Sequence, residues 1–363
     1  MTSIFFLIPT MQGGGAERVV ATLLSSIDYK KFDITLIVLD ISNAVYAKNI
    51  HNKVNVINLN CPRVRNAIPK IIYLIWTKRP DIVFSTLGHL NLALSIVRPI
   101  LPNRIKYIAR ETMIVSMLST AYSIPFWWDT AYRLFYKRFD RVVCQSQDMK
   151  DDLLINYNLP LEKVVVINNP VDIERIRNEA SELTKVHEIL ELRKNSDVRI
   201  LVAAGRLTEQ KGFDLLINAL HICNDHRLKL FLLGDGSMYN KLKMLSKKLC
   251  LEKQVFFVGF QSNPYPFFFQ ADAFVMSSRF EGFPNVVLES LACGTPVIAI
   301  PSKGGIKEIL DQVEGCSLSD GTTAKDLSNA ISKFDFKKGK LRKSVVRKYN
   351  VKSIVKQYEE LFQ

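Results

Sequence analysis

The chain predicts an α/β protein built from two doubly wound, Rossmann-like domains. Three observations predict it. Its 363 residues are long for one domain and suit two of comparable size. Short apolar runs alternate with stretches of helical spacing along most of the sequence. That rhythm breaks at Asn168-Asn169-Pro170 and then restarts.

The first half opens with Ile4 to Ile8, read as a buried strand. Gly13-Gly14-Gly15 follows, then apolar residues at helical spacing from Ala16 to Leu24. A glycine loop between strand and helix lets backbone amides approach a phosphate, which makes Gly14 and Gly15 candidate binding residues. The loop is neither a Walker loop nor a strict Gly-x-Gly-x-x-Gly, so a simple tight turn fits it equally well. Further strands are expected at Ile34–Leu39, Val54–Leu59, Ile82–Ser85, Lys106–Ala109, Val142–Cys144 and Lys163–Ile167. Helices are expected between them, including Ala67–Trp76 and Leu90–Val97.

Beyond the break, the charged segment Glu174–Arg193 reads as a connecting helix. Arg199–Ala204 begins the second half as a strand, and Gly205 to Gly212 is its loop before a helix from Phe213. Lys229–Leu233 is a strand ending at Gly234-Asp235-Gly236, and Gln254–Val258 one ending at Gly259-Phe260. The tail from Val351 to Phe362 carries an apolar face at helical spacing.

The most informative stretch runs from Ala273 to Ile300. Ala273–Met276 reads as a strand, Val286–Cys293 as a helix, Gly294-Thr295-Pro296 as a turn and Val297–Ile300 as a second strand. Pro284 is assigned to the first helical position, where its missing N–H costs nothing. The amides of Asn285 and Val286 then make an anion site at the positive end of the helix dipole. Glu281 and Glu289 bracket this turn with seven residues between them. A carboxylate accepts two hydrogen bonds at once, which suits vicinal sugar hydroxyls. A bare pair of glutamates at this spacing would more often be a solvated loop acid and a helix cap. The surrounding Gly-Phe-Pro-Asn and Gly-Thr-Pro-Val-Ile-Ala change that balance.

Composition narrows the functional classes. The six cysteines are scattered without a Cys-x-x-Cys pair, as expected of reduced, intracellular thiols. The five histidines show no metal-ligand spacing, and no Asp-x-Asp occurs. No metal site and no metal requirement are therefore expected. The net charge of +14 suits an anionic partner. No nucleic-acid motif is present, so no nucleic-acid partner is expected, and an anionic membrane surface is preferred. No signal peptide is visible, and no run reaches the ~18–20 apolar residues needed to span a bilayer. A cytoplasmic protein, peripheral on the inner face of the cell membrane, is expected. The contact is assigned to the segment around Trp127, Trp128, Arg133, Lys137 and Arg138, where aromatic and basic residues mix as in a lipid headgroup layer. A core helix with a snorkelling basic edge is the competing reading.

Together these residues resemble a known family, the retaining glycosyltransferases of family 4 (glycosyl transferases group 1). The resemblance rests on Gly13-Gly14-Gly15-Ala16-Glu17-Arg18, on Val166 to Asp172, and on Gly205-Arg206 with Lys211-Gly212. It also rests on Glu281 to Glu289 with Gly294 to Ala299, and on Gly304 to Ile309. These motifs cover nearly the whole chain. The family implies the GT-B fold: two Rossmann-like doubly wound domains facing a central cleft, with the C-terminal helix crossing back to the N-terminal domain. It implies residues 1–168 with 349–363 as the acceptor-binding domain, and 169–348 as the donor-binding domain.

The resemblance implies roles at matching positions. Arg206 and Lys211 would neutralise the diphosphate of a nucleotide-sugar without a metal. Glu281 would hold donor-sugar hydroxyls and Glu289 the ribose. Phe283, Pro284, Asn285 and Val286 would cover sugar and phosphate, and Gly259-Phe260 would meet the base. No cofactor is implied; the nucleotide-sugar is the substrate, with a UDP-sugar preferred over a GDP-sugar. Retention of anomeric configuration would proceed by front-face displacement assisted by the leaving phosphate, since no clear nucleophile is present. The acceptor would be a lipid-linked saccharide or surface polysaccharide.

Many members carry a histidine after the strand that corresponds to Lys106–Ala109, where this chain has Arg110-Glu111-Thr112. Glu111, His89 or the donor phosphate itself could activate the acceptor hydroxyl, with Glu111 ranked first. Two further readings compete: another GT-B enzyme such as a sugar-nucleotide epimerase, and a non-enzymatic Rossmann-type binding protein. Retention of both glutamates, Arg206 and Lys211 argues against the last.

Overall fold

The computed structural model describes every residue except 43–44, 46–49, 119–123, 183–185, 196, 312, 337–340 and 342, and the backbone alone at 343–345. The chain divides into two compact units, Met1–Pro170 with Tyr349–Gln363, and Val171–Lys348.

The first unit contains β1 (Thr2–Ile8), α1 (Gly15–Ser26), β2 (Phe32–Val38), β3 (Asn55–Asn58), α2 (Val64–Lys78), β4 (Ile82–Thr86) and α3 (Gly88–Val97). It continues with β5 (Lys106–Arg110), α4 (Trp128–Phe135), β6 (Arg141–Cys144), α5 (Gln147–Tyr157) and β7 (Val164–Val166). All strands are parallel in the order β3-β2-β1-β4-β5-β6-β7. Both faces of the sheet are covered, which is why the strands read as continuous apolar runs. One face packs residues such as Val83, Tyr107, Ile71, Ile75 and Tyr132; the other packs Ile4, Phe6, Val20, Leu24 and Tyr358.

The second unit contains α6 (Ile173–Ala180), α7 (His187–Leu192), β8 (Arg199–Ala204), α8 (Phe213–Cys223), β9 (Leu228–Leu233), α9 (Tyr239–Lys248) and β10 (Val255–Gly259). It continues with α10 (Tyr265–Gln270), β11 (Ala273–Met276), α11 (Asn285–Ala292), β12 (Val297–Ala299), α12 (Ile306–Leu310), β13 (Ser317–Leu318) and α13 (Ala324–Lys333). Its parallel order is β10-β9-β8-β11-β12-β13. The single helix expected over Glu174–Arg193 is two helices, α6 and α7, with residues 183–185 between them outside the described set. Charge alone could not reveal that break.

The final helix, α14 (Val351–Leu361), packs on the first unit. Asn350 caps it by accepting from the Lys352 amide at 2.9 Å. Its Tyr358 and the following Phe362 meet Phe84 edge-on, with centroids 5.9 and 5.5 Å away. Arg110, 1% exposed, donates to the Tyr358 hydroxyl at 3.2 Å, to Thr86 Oγ1 at 3.3 Å and to Asn169 Oδ1 at 2.6 Å. One buried guanidinium thus ties α14, the end of β4 and the segment after β7 together.

Candidate active site

Doubly wound sheets bind ligands beyond the carboxyl ends of their strands, where the strand order reverses. In the second unit that reversal lies between β8 and β11. The loops leaving these two strands are Gly205–Gly212 and Ser277–Pro284, the loops that carry Arg206, Lys211 and Glu281. Strand order therefore makes neighbours of residues seventy positions apart.

These loops pack backbone on backbone. Gly212 holds φ +62°, and a Cβ there would run into the Ser277 carbonyl oxygen. A Cβ at Gly234, φ +131°, would meet the Gly205 carbonyl. The Leu207 amide donates to Asp235 O and the Arg279 amide to Gln210 O, at 2.9 and 2.8 Å. Ser277 Oγ donates to Lys211 O at 3.0 Å, and Gln210 Nε2 to Phe280 O at 3.0 Å. Arg279 completes the frame. Its two terminal nitrogens reach Asp214 at 2.9 and 2.6 Å, and Nη1 also donates to Glu209 O.

Lys211 Nζ lies 2.5 Å from Glu281 Oε1, and its methylenes lie over Gly205. Glu281 is 8% exposed, and its amide donates to Lys303 O at 3.0 Å. Arg206 is exposed, and its guanidinium makes no ion pair among the described residues. Phe283 is buried against Gly305, whose amide donates to Gly282 O at 3.0 Å. Glu289 is buried in the second turn of α11. Gly259 ends β10 at φ +79° with open space around its Cα, and Phe260 beside it is exposed.

Pro284 does not take the first helical position. With ψ 94° it is the cap, and Asn285 begins the helix. Asn285 and Val286 are partly exposed at that helix start, the positive end of the dipole.

In the first unit the reversal lies between β1 and β4. Gly13-Gly14-Gly15 follows β1: Gly13 has φ +114°, Gly14 caps α1 and Gly15 begins it. Glu17 accepts from Thr10 Oγ1 at 3.0 Å across this turn. His89 is the second residue of α3, after Leu87 in the unusual conformation φ +78°. Its side chain is exposed, yet surrounding protein mass desolvates the ring and holds its pKa below the ordinary histidine value.

Glu111 follows β5 at the expected edge but is not open to a substrate. It is 2% exposed, and its carboxylate accepts from Asn91 Nδ2 at 3.1 Å, Tyr132 OH at 3.4 Å and Tyr136 OH. Burial raises its pKa to about 7 against these hydrogen bonds and the pull of Arg110. Asn91 is held in turn by Ser85 Oγ at 2.7 Å and Arg110 O at 3.0 Å. Of the two acceptor-side candidates, His89 is exposed, whereas Glu111 is buried and its carboxylate anchors α4 to the sheet. Tyrosines four residues apart, Tyr132 in α4 and Tyr136 just past its end, were the available signal.

The aromatic-basic segment also divides. Trp128 meets Tyr132 at a tilt, ring centroids 5.7 Å apart, and packs against the core. Arg138 donates to the carbonyls of Ser95 and Ile96, ending α3, and lies over the Phe135 ring at 4.5 Å. These two are occupied by the fold. Phe126, Trp127 and Leu134 are exposed by 96, 46 and 52%, beside exposed Arg133 and Lys137. Among the described residues, no helix is long and apolar enough to cross a membrane and no cluster of His, Cys, Asp or Glu could hold a metal.

Two parallel doubly wound units, each with its loops gathered at a strand-order reversal, define an α/β protein of the GT-B class. The sequence model for Glycosyl transferases group 1 matches residues 187–350, and that for Glycosyltransferase Family 4 matches residues 13–175. The chain belongs to this glycosyltransferase family. It is 33% identical over 251 residues to an uncharacterized glycosyltransferase of Methanocaldococcus jannaschii, covering 66% of this chain and 60% of that one. It is 29% identical to a Campylobacter jejuni N-acetylgalactosamine-N,N'-diacetylbacillosaminyl-diphospho-undecaprenol 4-alpha-N-acetylgalactosaminyltransferase, over 86% of this chain and 85% of that protein. In fold it is similar to Anabaena HepE, solved in complex with UDP and glucose: TM-score 0.80, 20% identity, 99% of both chains covered.

Proposed function

We propose that this chain is a retaining glycosyltransferase that moves a hexose or N-acetylhexosamine from a UDP-sugar to a lipid-linked saccharide or a surface polysaccharide. The observation that carries the reading is Lys211 paired with Glu281, with Arg206 exposed on the same glycine-lined loop as Lys211, at the strand-order reversal of the second unit. Two cations stabilise the growing charge of a departing diphosphate, and a neighbouring carboxylate orders sugar hydroxyls. The Campylobacter relative, named for a diphospho-undecaprenol acceptor, and the UDP complex of HepE support the two substrate classes. Gly14 and Gly15 offer amides to the donor, Glu289 the ribose contact, Gly259 and Phe260 the base contact, and Phe283 to Val286 the cover.

Retention follows a front-face route in which the leaving phosphate assists, with His89 as the acceptor-side group. The exposed patch of Phe126, Trp127, Leu134, Arg133 and Lys137 brings the enzyme to an anionic membrane at its cytoplasmic face. Thirteen Lys and Arg against four Asp and Glu between Arg63 and Arg141 support this.

The test is turnover of a panel of nucleotide-sugars by wild type, Arg206→Ala and Lys211→Ala, read as released nucleotide. Each substitution removes a charge-assisted contact worth about 1.5–3 kcal/mol, so turnover falls at least tenfold. Near-normal turnover in both, with unchanged melting, overturns the assignment.

A further inference from the structure

The Lys211–Glu281 ion pair joins the two groups that the donor-site reading assigns to different parts of the donor. Lys211 is to meet the diphosphate and Glu281 the sugar. In the structure they satisfy each other at 2.5 Å, with side chains only 20 and 11% exposed. Among the described residues, Lys211 is the side-chain partner of the Glu281 carboxylate.

We propose that this pair makes the site select the intact nucleotide-sugar over the nucleoside diphosphate that transfer leaves behind. The inference rests on the donor-site reading above. A diphosphate that takes Lys211 leaves the Glu281 carboxylate bare in a nearly closed position, and a buried charge stripped of its partner is costly. An intact nucleotide-sugar supplies the replacement, because its sugar hydroxyls donate to Glu281 as its phosphates accept from Lys211. A nucleoside diphosphate supplies only the second half of that exchange. After transfer the sugar is gone, Glu281 again lacks a donor, and re-formation of the ion pair competes with the diphosphate for Lys211. Product release is thereby helped by the same two residues that hold the substrate. The frame around them is rigid enough for this competition: Glu281 is fixed through its amide to Lys303 O, and Lys211 through Ser277 Oγ to its carbonyl.

Calorimetric titration with UDP, GDP and inorganic pyrophosphate tests the exchange on wild type, Glu281→Gln, Glu281→Ala, Lys211→Met and Lys211→Met/Glu281→Gln. Both Glu281 variants are expected to bind UDP or GDP, and pyrophosphate, about tenfold tighter than wild type, because Lys211 is released without exposing a bare carboxylate. The gain should vanish in the Lys211→Met background. Two variants at Glu281 keep the test sound where one folds poorly. Unchanged or weaker binding in both overturns the exchange and leaves the donor site standing. A gain that persists undiminished without Lys211 is simple charge repulsion and also overturns it. If wild type and every variant bind none of the three probes, the donor-site reading itself fails, and this inference with it.

Discussion

Arg279 and Asp214 form a two-armed ion pair, 2.9 and 2.6 Å, between the loop after β11 and the start of α8. Neither residue was a sequence candidate, yet the pair holds the Glu281 loop against the Lys211 loop. Arg279→Lys cannot reproduce the planar fork. Both side chains are about a third exposed, so the stability cost is expected to be small, about 1 kcal/mol after screening. The larger effect is expected on donor handling: in the proposed reading kcat/KM drops about tenfold, mostly through KM, because Lys211 and Glu281 lose their alignment. Steady-state kinetics with varied donor checks this. Wild-type KM in Arg279→Lys would remove the pair from the site's support.

Activity is expected to survive a chelator, because in the proposed reading Arg206 and Lys211 supply the positive charge beside the diphosphate. Turnover in excess EDTA should match that without it. Loss in EDTA with recovery on adding magnesium or manganese would assign the charge-neutralising role to a metal.

Glu111 makes the protein's stability depend on pH in a defined direction. Its pKa is about 7 in the folded protein, against an ordinary 4.5. The folded state therefore binds the proton more tightly, and stability from this group falls as pH rises from about 4.5 through 7. The shift corresponds to about 3 kcal/mol at most. Glu111→Gln should flatten that part of the melting profile between pH 5 and pH 7.5. It should also keep much of its transfer activity, whereas His89→Ala should lose transfer with donor binding intact. Parallel melting profiles would overturn the raised pKa, and collapse of transfer in Glu111→Gln alone would return Glu111 to the role of base.

Vesicle binding should separate the two halves of the aromatic-basic segment. Trp127→Ala and Lys137→Ala remove exposed groups and are expected to weaken flotation with anionic vesicles; wild-type binding falls as salt rises, and the Lys137→Ala deficit shrinks with it. Arg138→Ala should instead lower the melting temperature, because its guanidinium ends α3. Equal binding to neutral vesicles at high salt would refute the electrostatic attraction.

The alternation of apolar runs and helical spacing was sufficient to read two doubly wound units, the break near Pro170 and the motif loops that follow β8 and β11. Periodicity reports which face of each element is buried, and that is a local property. Element edges moved by a few residues, and Pro284 moved from first helical residue to cap, because backbone angles at a helix start depend on what the flanking loop packs against. What the sequence left open was side-chain pairing across elements. Lys211 meets Glu281 only because β8 and β11 lie side by side. Glu111 appears accessible in sequence, directly after a strand; Tyr132 and Tyr136, more than twenty residues later, close over it. Trp128 and Arg138 read as free for a membrane in sequence, but α4 lays Trp128 against Tyr132, and the turn after α4 brings Arg138 to the carbonyls that end α3. Strand order and helix rotation decide such contacts, and both are fixed by packing of the whole unit rather than by neighbouring residues.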